Sequence, residues 1–596
     1  MQKCSSPAER VTRLVASLVI LGAATARAAW WGPSGTPVAP AVHGAPVAAI
    51  ADGAGGVLVA YQGAGVPGGA AIRMQRVDAS GEIVAGWPAD GVVACSLATM
   101  PALGALRGVS DGAGGAFLVW LEGYIPPANG VGTAYVQHVL ASGQRATGWA
   151  ARGRLLANGA GQSSLDALPD GTGGVIAAWR DVRSSPPDIR VTRVRANGTN
   201  ATGFPIAGRI TSEPVPDASM EMPALRPDGV SGFWLSYSIV GFDTTTTPSS
   251  NHLVHLLAGG SVDPVWTGNG LQTPSPSSDL LEGGTAALAD GSGGAYFLTS
   301  GASIESRLFH ALADVSLDPA WPADGLLLGP GASGWDGNST QLASDGVGGL
   351  YAAWSTYAGV STNLALRRVH GDGTLDPAWP APQQLIGDYH QTLLADPAGV
   401  FVCGTWMFQC VSHDCWGPAA IARRGTDGSI PVGWPDPPNA TGFPGEYGLP
   451  SPDSAMGGPV AMVRDGASGV FAAWTRPDAP VSGGYGAMGT VRVMRFSTLG
   501  PVADVPPSTP GADTGRLRAR WSANAGIRAT VGASPAARRL DVYDLLGRRV
   551  ACADLPAATV PTESVVPGTR ELQPGLYFIR VRAPGGAERA KVLVAR

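Results

Sequence analysis

Lysine is nearly missing from this sequence. Only Lys3 and Lys591 occur among 596 residues, and charged side chains of all kinds make up 14%. The net charge is −5 at pH 7, so no global basic surface points to a nucleic-acid partner. Long apolar runs are missing too. After residue 28 nothing approaches the roughly 18 apolar residues of a membrane-crossing helix, and no membrane span is expected. Cysteine is scarce: six in all, five beyond Cys4, an odd number that does not make a disulfide framework. No His-Glu-x-x-His pair and no phosphate-binding loop occurs. No two acids stand out as the carboxylates a glycosidase sets across its bond. No cofactor, metal or catalytic residue is therefore nominated.

Glycine and proline are abundant, 85 and 50 residues, and hydrophobic residues make up 44%. The glycines recur between short apolar runs, so they read as turns in a strand-rich protein. The N-terminus reads as a secretory signal: basic Lys3, Arg10 and Arg13, an apolar stretch from Leu14 to Ala24, and the small-x-small site Ala26-Arg27-Ala28. Residues 1–28 are assigned to it.

An internal repeat organises most of the rest. Each unit opens with Asp-Gly-x-Gly-Gly and an apolar run ending in an aromatic, as in Asp52…Tyr61, Asp111…Trp120, Asp170…Trp179 and Asp345…Trp354. Weaker copies start at Asp228, Asp290 and Asp396, and the eighth runs from Asp465 to Trp474; the spacing averages about 59 residues. A second half follows, a strand-like run, a polar turn and Gly-Trp-Pro or Asp-Pro-x-Trp, placing Trp87, Trp149, Phe204, Trp266, Trp321, Trp379 and Trp434 alike. Four short strands per unit, with no helical period, predict an eight-bladed β-propeller over residues 29–505. The eighth unit lacks its Gly-Trp segment, and Trp30-Trp31-Gly-Pro-Ser-Gly-Thr-Pro-Val38 looks like the missing piece, so the N-terminal strand is expected to close the ring. The segments Val369-His-Gly-Asp-Gly-Thr-Leu-Asp-Pro-Ala-Trp379 and Leu317–Gly325 resemble the delta-60 family of bacterial surface repeats, which implies a propeller-like fold and no known chemistry.

Residues 506–512 are Pro-rich and read as a linker. Residues 513–596 carry Leu540-Asp-Val-Tyr-Asp-Leu-Leu-Gly-Arg-Arg-Val550, Leu572-Gln-Pro-Gly-Leu-Tyr-Phe-Ile-Arg-Val-Arg582 and Glu588-Arg-Ala-Lys-Val-Leu-Val594. This region resembles the Ig-like C-terminal sorting domains of type IX secretion and the related domain of flagellar hook-capping proteins. Tyr543, Gly547, Arg548, Gly575, Tyr577 and Lys591 carry the motif. The resemblance implies a small β-sandwich, secretion machinery as partner, and an extracellular or outer-surface location with the periplasm as fallback. The segment from Ala551 to Thr569 reads as a long loop.

Three features could hold chemistry. The repeated Asp offers one carboxylate per loop, against the about six to eight oxygens calcium takes, and a turn role is expected. The repeated aromatics are expected to pack blade against blade. Cys403, Cys410 and Cys415 cluster near His413. A Cys410–Cys415 or Cys403–Cys415 disulfide is expected, with free thiols and a zinc site as alternatives. The expected protein is an all-β, monomeric, secreted or surface-attached binding scaffold whose ligand, protein or glycan, is open. The alternative is a secreted propeller hydrolase acting on polysaccharide.

Overall fold

The computed structural model describes residues 35–501 and 518–594, apart from stretches inside those limits such as 65–68, 98–102, 124–130, 242–247, 275–284, 332–339, 435–445, 450–459 and 478–487. Every regular element among the described residues is a strand. Among the described residues no helix is long and apolar enough to cross a membrane. The chain divides into two compact units, the first through Asp504 and the second from Val505.

The Asp-Gly turns dictate the first unit. Gly53 takes a φ of +72°, which only glycine adopts at no cost, and a Cβ on Gly56 would stand 2.4 Å from the Val77 carbonyl oxygen. The chain therefore reverses after Ala48–Ala51 into Val57–Ala64, returns along Ala70–Val77 and ends the sheet at Val92–Ser96. Neighbours pair antiparallel in sequence order. The second strand is buried from Val57 to Gln62 because neighbouring sheets cover both its faces, which explains its continuous rather than alternating apolar run.

Six more four-stranded sheets repeat this order. Their first strands are Leu103–Ser110, Gln162–Pro169, Ala218–Pro227, Thr285–Ala289, Thr340–Ser344 and Tyr389–Asp396. In sheet eight, Val460–Arg464, Val470–Pro477 and Met488–Ser497 are joined by the N-terminal strand Thr36–Val42 in the fourth place. First strands pack against one another in cyclic order, and that of sheet eight lies against that of sheet one. Apolar clusters sit between successive sheets, such as Ile72, Leu106 and Trp120 between sheets one and two. The arrangement is all-β and propeller-like.

The N-terminal strand is in register with the repeat. In sheets one to five the aromatic precedes by four residues a glycine of positive φ: Gly91, Gly153, Gly208, Gly270 and Gly325. Gly35 has the same φ, +72°, and its place for a Cβ lies 2.5 Å from the Trp474 ring, as that of Gly153 lies 2.7 Å from Trp120. The Arg492 guanidinium donates to the Gly35 carbonyl at 2.9 Å, as Arg73 donates to that of Gly91 at 3.0 Å. Trp31 stands four residues before Gly35 in the sequence but lies outside the described residues.

The second unit has two sheets. One joins Arg518–Ser522, Gly526–Val531 and Thr562–Val565. The other runs Arg549–Leu555, Arg538–Tyr543, Gly575–Ala583, Gly586–Val594 in spatial order. Ile527, Ala529, Leu540, Val542, Tyr577, Ile579 and Val581 form its core. The stretch from Ala551 to Thr569, read from sequence as a loop, instead supplies parts of two strands. The small inward residues Ala551 and Ala553, between exposed Cys552 and Asp554, had hidden the alternation.

Candidate functional site

The repeated Asp residues form turns, as the residue type suggested. In Asp52 one carboxylate oxygen accepts the Ala54 and Gly56 amides at 2.8 and 2.7 Å, and the same pair of bonds recurs at Asp111, Asp170, Asp290, Asp345 and Asp465. Sequence reasoning missed the partner. A basic side chain on the third strand, arginine or histidine, meets each carboxylate: Arg76, His138, Arg193, His255, His310, Arg368, Arg423 and Arg495. Burial pushes the Asp170, Asp345 and Asp465 carboxyls up, but their arginines and turn amides outweigh it and hold them below the usual range. The signal was present, since each of these cations stands five residues before the last residue of the polar turn.

The cations also reach the following sheet. Arg76 donates to the Ala141 carbonyl at 3.2 Å, Arg193 to Ala258 at 2.8 Å and Arg368 to Thr426 at 3.3 Å. The repeated aromatics do the same: the indole N–H of Trp149 donates to Ala196 at 2.9 Å and that of Trp379 to Thr426 at 2.9 Å. Trp434 stacks on Phe496 of sheet eight at 5.9 Å between centroids. These rings are inter-sheet packing, not an open stacking platform.

A second charged system follows the first strands. Asp166 of sheet three faces Arg107 of sheet two at 3.6 Å and Arg226 of sheet four at 3.4 Å. Arg226 donates onward to Gln341 of sheet six at 3.1 Å, passing the first strand of sheet five. Asp396 of sheet seven pairs with Arg423 at 2.7 Å and with Arg464 of sheet eight at 3.3 Å. Ion pairs thus tie first strands of neighbouring sheets to one another, two to three, three to four and seven to eight.

At the end away from the Asp-Gly turns, two neighbouring first strands are distorted. The register shifts between Ser163 and Asp166 and between Glu221 and Ala224, and non-glycine residues take positive φ there, +48° at Ser164 and +53° at Met222. Such strain is held only where the surroundings determine it. Here it turns Glu221 onto Arg180 at 2.7 Å, with the Ser219 hydroxyl donating at 2.6 Å. Burial pushes the Glu221 carboxyl up, against Arg180 and Ser219, which lower it. Glu221, Ser238, Asn251 and Thr273 pair in register across sheet four, all buried. Nearby, His252 accepts the Ser250 hydroxyl proton at 2.8 Å and donates to the Asn269 carbonyl at 3.1 Å; burial lowers its pKa to about 4. Gly108-Val-Ser110-Asp-Gly112 has the spacing of a nucleophile elbow, but it runs along a strand into the Asp111 turn, where the Ser110 hydroxyl accepts the Gly112 amide.

The cysteine expectation needs correction. Cys403 is a buried free thiol paired in register with Ile421, and Cys415 lies opposite Phe408, five residues further along the same strand. That is roughly 17 Å at strand spacing, so Cys403–Cys415 is not a disulfide and Cys403 is not part of a compact zinc set. Cys410 and His413 lie outside the described residues. Among the described residues no group of three or more His, Cys, Asp or Glu could hold a metal.

In the second unit Tyr577 is buried and Tyr543 half-buried, with its hydroxyl 3.5 Å from Asp541. Arg548 is exposed, Gly575 opens its strand, Lys591 pairs with Phe578 in the last strand, and Gly547 lies outside the described residues. The structure does not gather them into one pocket-like cluster among the described contacts.

No family model matches the chain, and no curated protein matches it. Among solved structures it is similar to the SapL1 lectin in complex with alpha methyl fucoside (14% identity, 56% of this chain and 97% of that one, TM-score 0.28). It is also similar to the polysaccharide lyase Uly1 (9%, 76% and 90%, TM-score 0.39) and to Bacillus subtilis arabinanase Arb43A (12%, 55% and 92%, TM-score 0.24). At these values neither an activity nor a ligand carries over.

Proposed function

We propose that the chain is an exported binding scaffold: an eight-bladed propeller closed by its N-terminal strand, followed by an Ig-like, sorting-type sandwich. What supports the eightfold closure is the cyclic packing of the first strands and the place of Thr36–Val42 beside Met488–Ser497. The observation that favours a scaffold over a hydrolase is the state of the carboxylates. Asp166 lies between Arg107 and Arg226, Asp396 between Arg423 and Arg464, and Glu221 on Arg180. Glycoside hydrolysis needs one carboxyl free to give a proton and a second poised across the bond. Each of these three described acids already faces a guanidinium. The propeller is monomeric in this reading, its ligand a glycan or protein bound outside the cell or at its outer surface. The C-terminal sandwich meets the secretion machinery.

The test is a glycan array run alongside hydrolysis assays on the same glycans. Retention of at least one glycan with no release of product is the expected result. Turnover of a retained polysaccharide would overturn the scaffold reading in favour of the hydrolase.

A further inference from the structure

Of the eight third-strand cations, five are arginine and three are histidine. Arginine keeps its charge at every physiological pH, whereas histidine does not. The surroundings of the histidines decide which form the fold holds. His255 has Asp263 at 2.9 Å from Nδ1 and Asp228 at 3.2 Å from Nε2. His310 has Asp318 at 2.9 Å from Nδ1 and Asp290 at 3.0 Å from Nε2. His138 has the Ala196 carbonyl at 3.1 Å and Asp111 at 3.0 Å. All six neighbours are acceptors. A neutral imidazole carries one N–H and would turn a lone pair onto one of them; only the imidazolium donates to both.

The second carboxylate leads to the next sheet. Asp263 opens Asp-Pro-Val-Trp266 and Asp318 opens Asp-Pro-Ala-Trp321, and the carbonyl of each accepts the amide of its tryptophan, at 2.8 and 3.0 Å. Trp266 packs with Phe297 and Phe309 of sheet five, and Trp321 with Leu350 of sheet six. Arg368 holds the corresponding Asp376 in sheet six at 2.9 Å, so a permanent charge fills the same role there.

We infer that imidazolium holds the seams after sheets four and five, so that proton loss from His255 and His310 loosens those seams while the arginine-held ones stay closed. The groups facing His255 are Asp228 from the first hairpin and Asp263 after the polar turn, with the Trp234 ring over it at 4.5 Å. Those facing His310 are Asp290, Asp318 and Tyr296, stacked at 4.7 Å, whose phenol also feels Asp345 of sheet six. Each of the two rings thus has a carboxylate at both nitrogens and an aromatic ring on its face. Asp318 is held below the usual carboxyl range by the Ala320 amide and then by the hydrogen bond from His310. Two acceptors on each ring favour the form that carries both N–H groups, so on this inference the stabilisation belongs to the acid side and is lost when the rings give up their protons.

The test compares the full chain with its His255→Arg/His310→Arg variant by urea unfolding of the propeller at about pH 5.5 and about pH 8. His252 is unchanged in both, so its own titration cancels. The wild type should lose on the order of tenfold in its folding constant per histidine, about a hundredfold for the pair, relative to the variant between the two pH values, one charge-assisted hydrogen bond's worth at each ring. Equal pH dependence of the two proteins overturns the inference. If the double variant does not fold, His310→Arg alone carries the same comparison with the same two outcomes.

Discussion

At the scale of the residue, the chain spends its few charges in pairs. The Asp-Gly-x-Gly-Gly aspartates were legible as turn formers because the residue type and its neighbours say so. Their cations were not, because a single Arg or His in an alternating strand looks like an ordinary exposed residue until the third strand is laid beside the first turn. Arg423, 0% exposed, is the plainest case: it stacks over Phe401 at 4.1 Å and pairs with Asp396. Glu221 and Arg180 were illegible for a different reason, since the two bulges that bring them together have no marker in the sequence. A pH effect belongs at this scale. The folded His252 titrates near 4, below the ordinary imidazole value, so the folded state binds fewer protons than the unfolded one. Its contribution is therefore present above about pH 6.5 and is lost as the pH falls towards 4, some 3 kcal/mol in all. Stability measured at pH 7 and pH 4 should fall by about that much more in the wild type than in His252→Gln; equal losses would show the imidazole to be solvated.

At the scale of the element, the unit of construction is a sheet plus the turn it lends to its neighbour. The aromatic of one sheet lies flat on the polar turn of the next, and the turn glycine makes room. Gly260 has a φ of +73°, and a Cβ there would meet the Phe204 ring at 2.0 Å; Gly268 has a φ of +64° with nothing within 4 Å. Gly268→Ala should cost about 1 kcal/mol, the left-handed backbone term alone, and Gly260→Ala at least twice that. Equal urea midpoints for the two variants would remove the aromatic from the account. Sheet five departs from the rule, with Val315 at φ +72° where the other turns have glycine. The repeat length and the antiparallel four-strand order could be read beforehand, because Gly-rich turns punctuate the chain at a constant spacing. The strand Arg549–Leu555 could not, because its inward residues are alanines, too small to signal a buried face.

At the scale of the whole molecule, the chain is two units, each with its own core. The sorting reading of the second makes a separate prediction. Residues 513–596 fused to an unrelated periplasmic reporter should carry it outside the host cell. A fusion that folds and stays periplasmic would leave an Ig-like module without sorting function. For the first unit, everything depends on a chain end finding a partner more than 440 residues away in sequence. Pro40, exposed, lies opposite the half-buried Thr490 in that pairing. The most direct measurement is therefore a cross-link: the variant Pro40→Cys/Thr490→Cys, oxidised at low concentration and digested for mass spectrometry. Near-complete joining of the two peptides within one chain is expected, with the first unit unfolding at higher urea because a very long loop is closed. Free thiols at both positions, or cross-links only between chains, would contradict a ring closed by its own N-terminal strand.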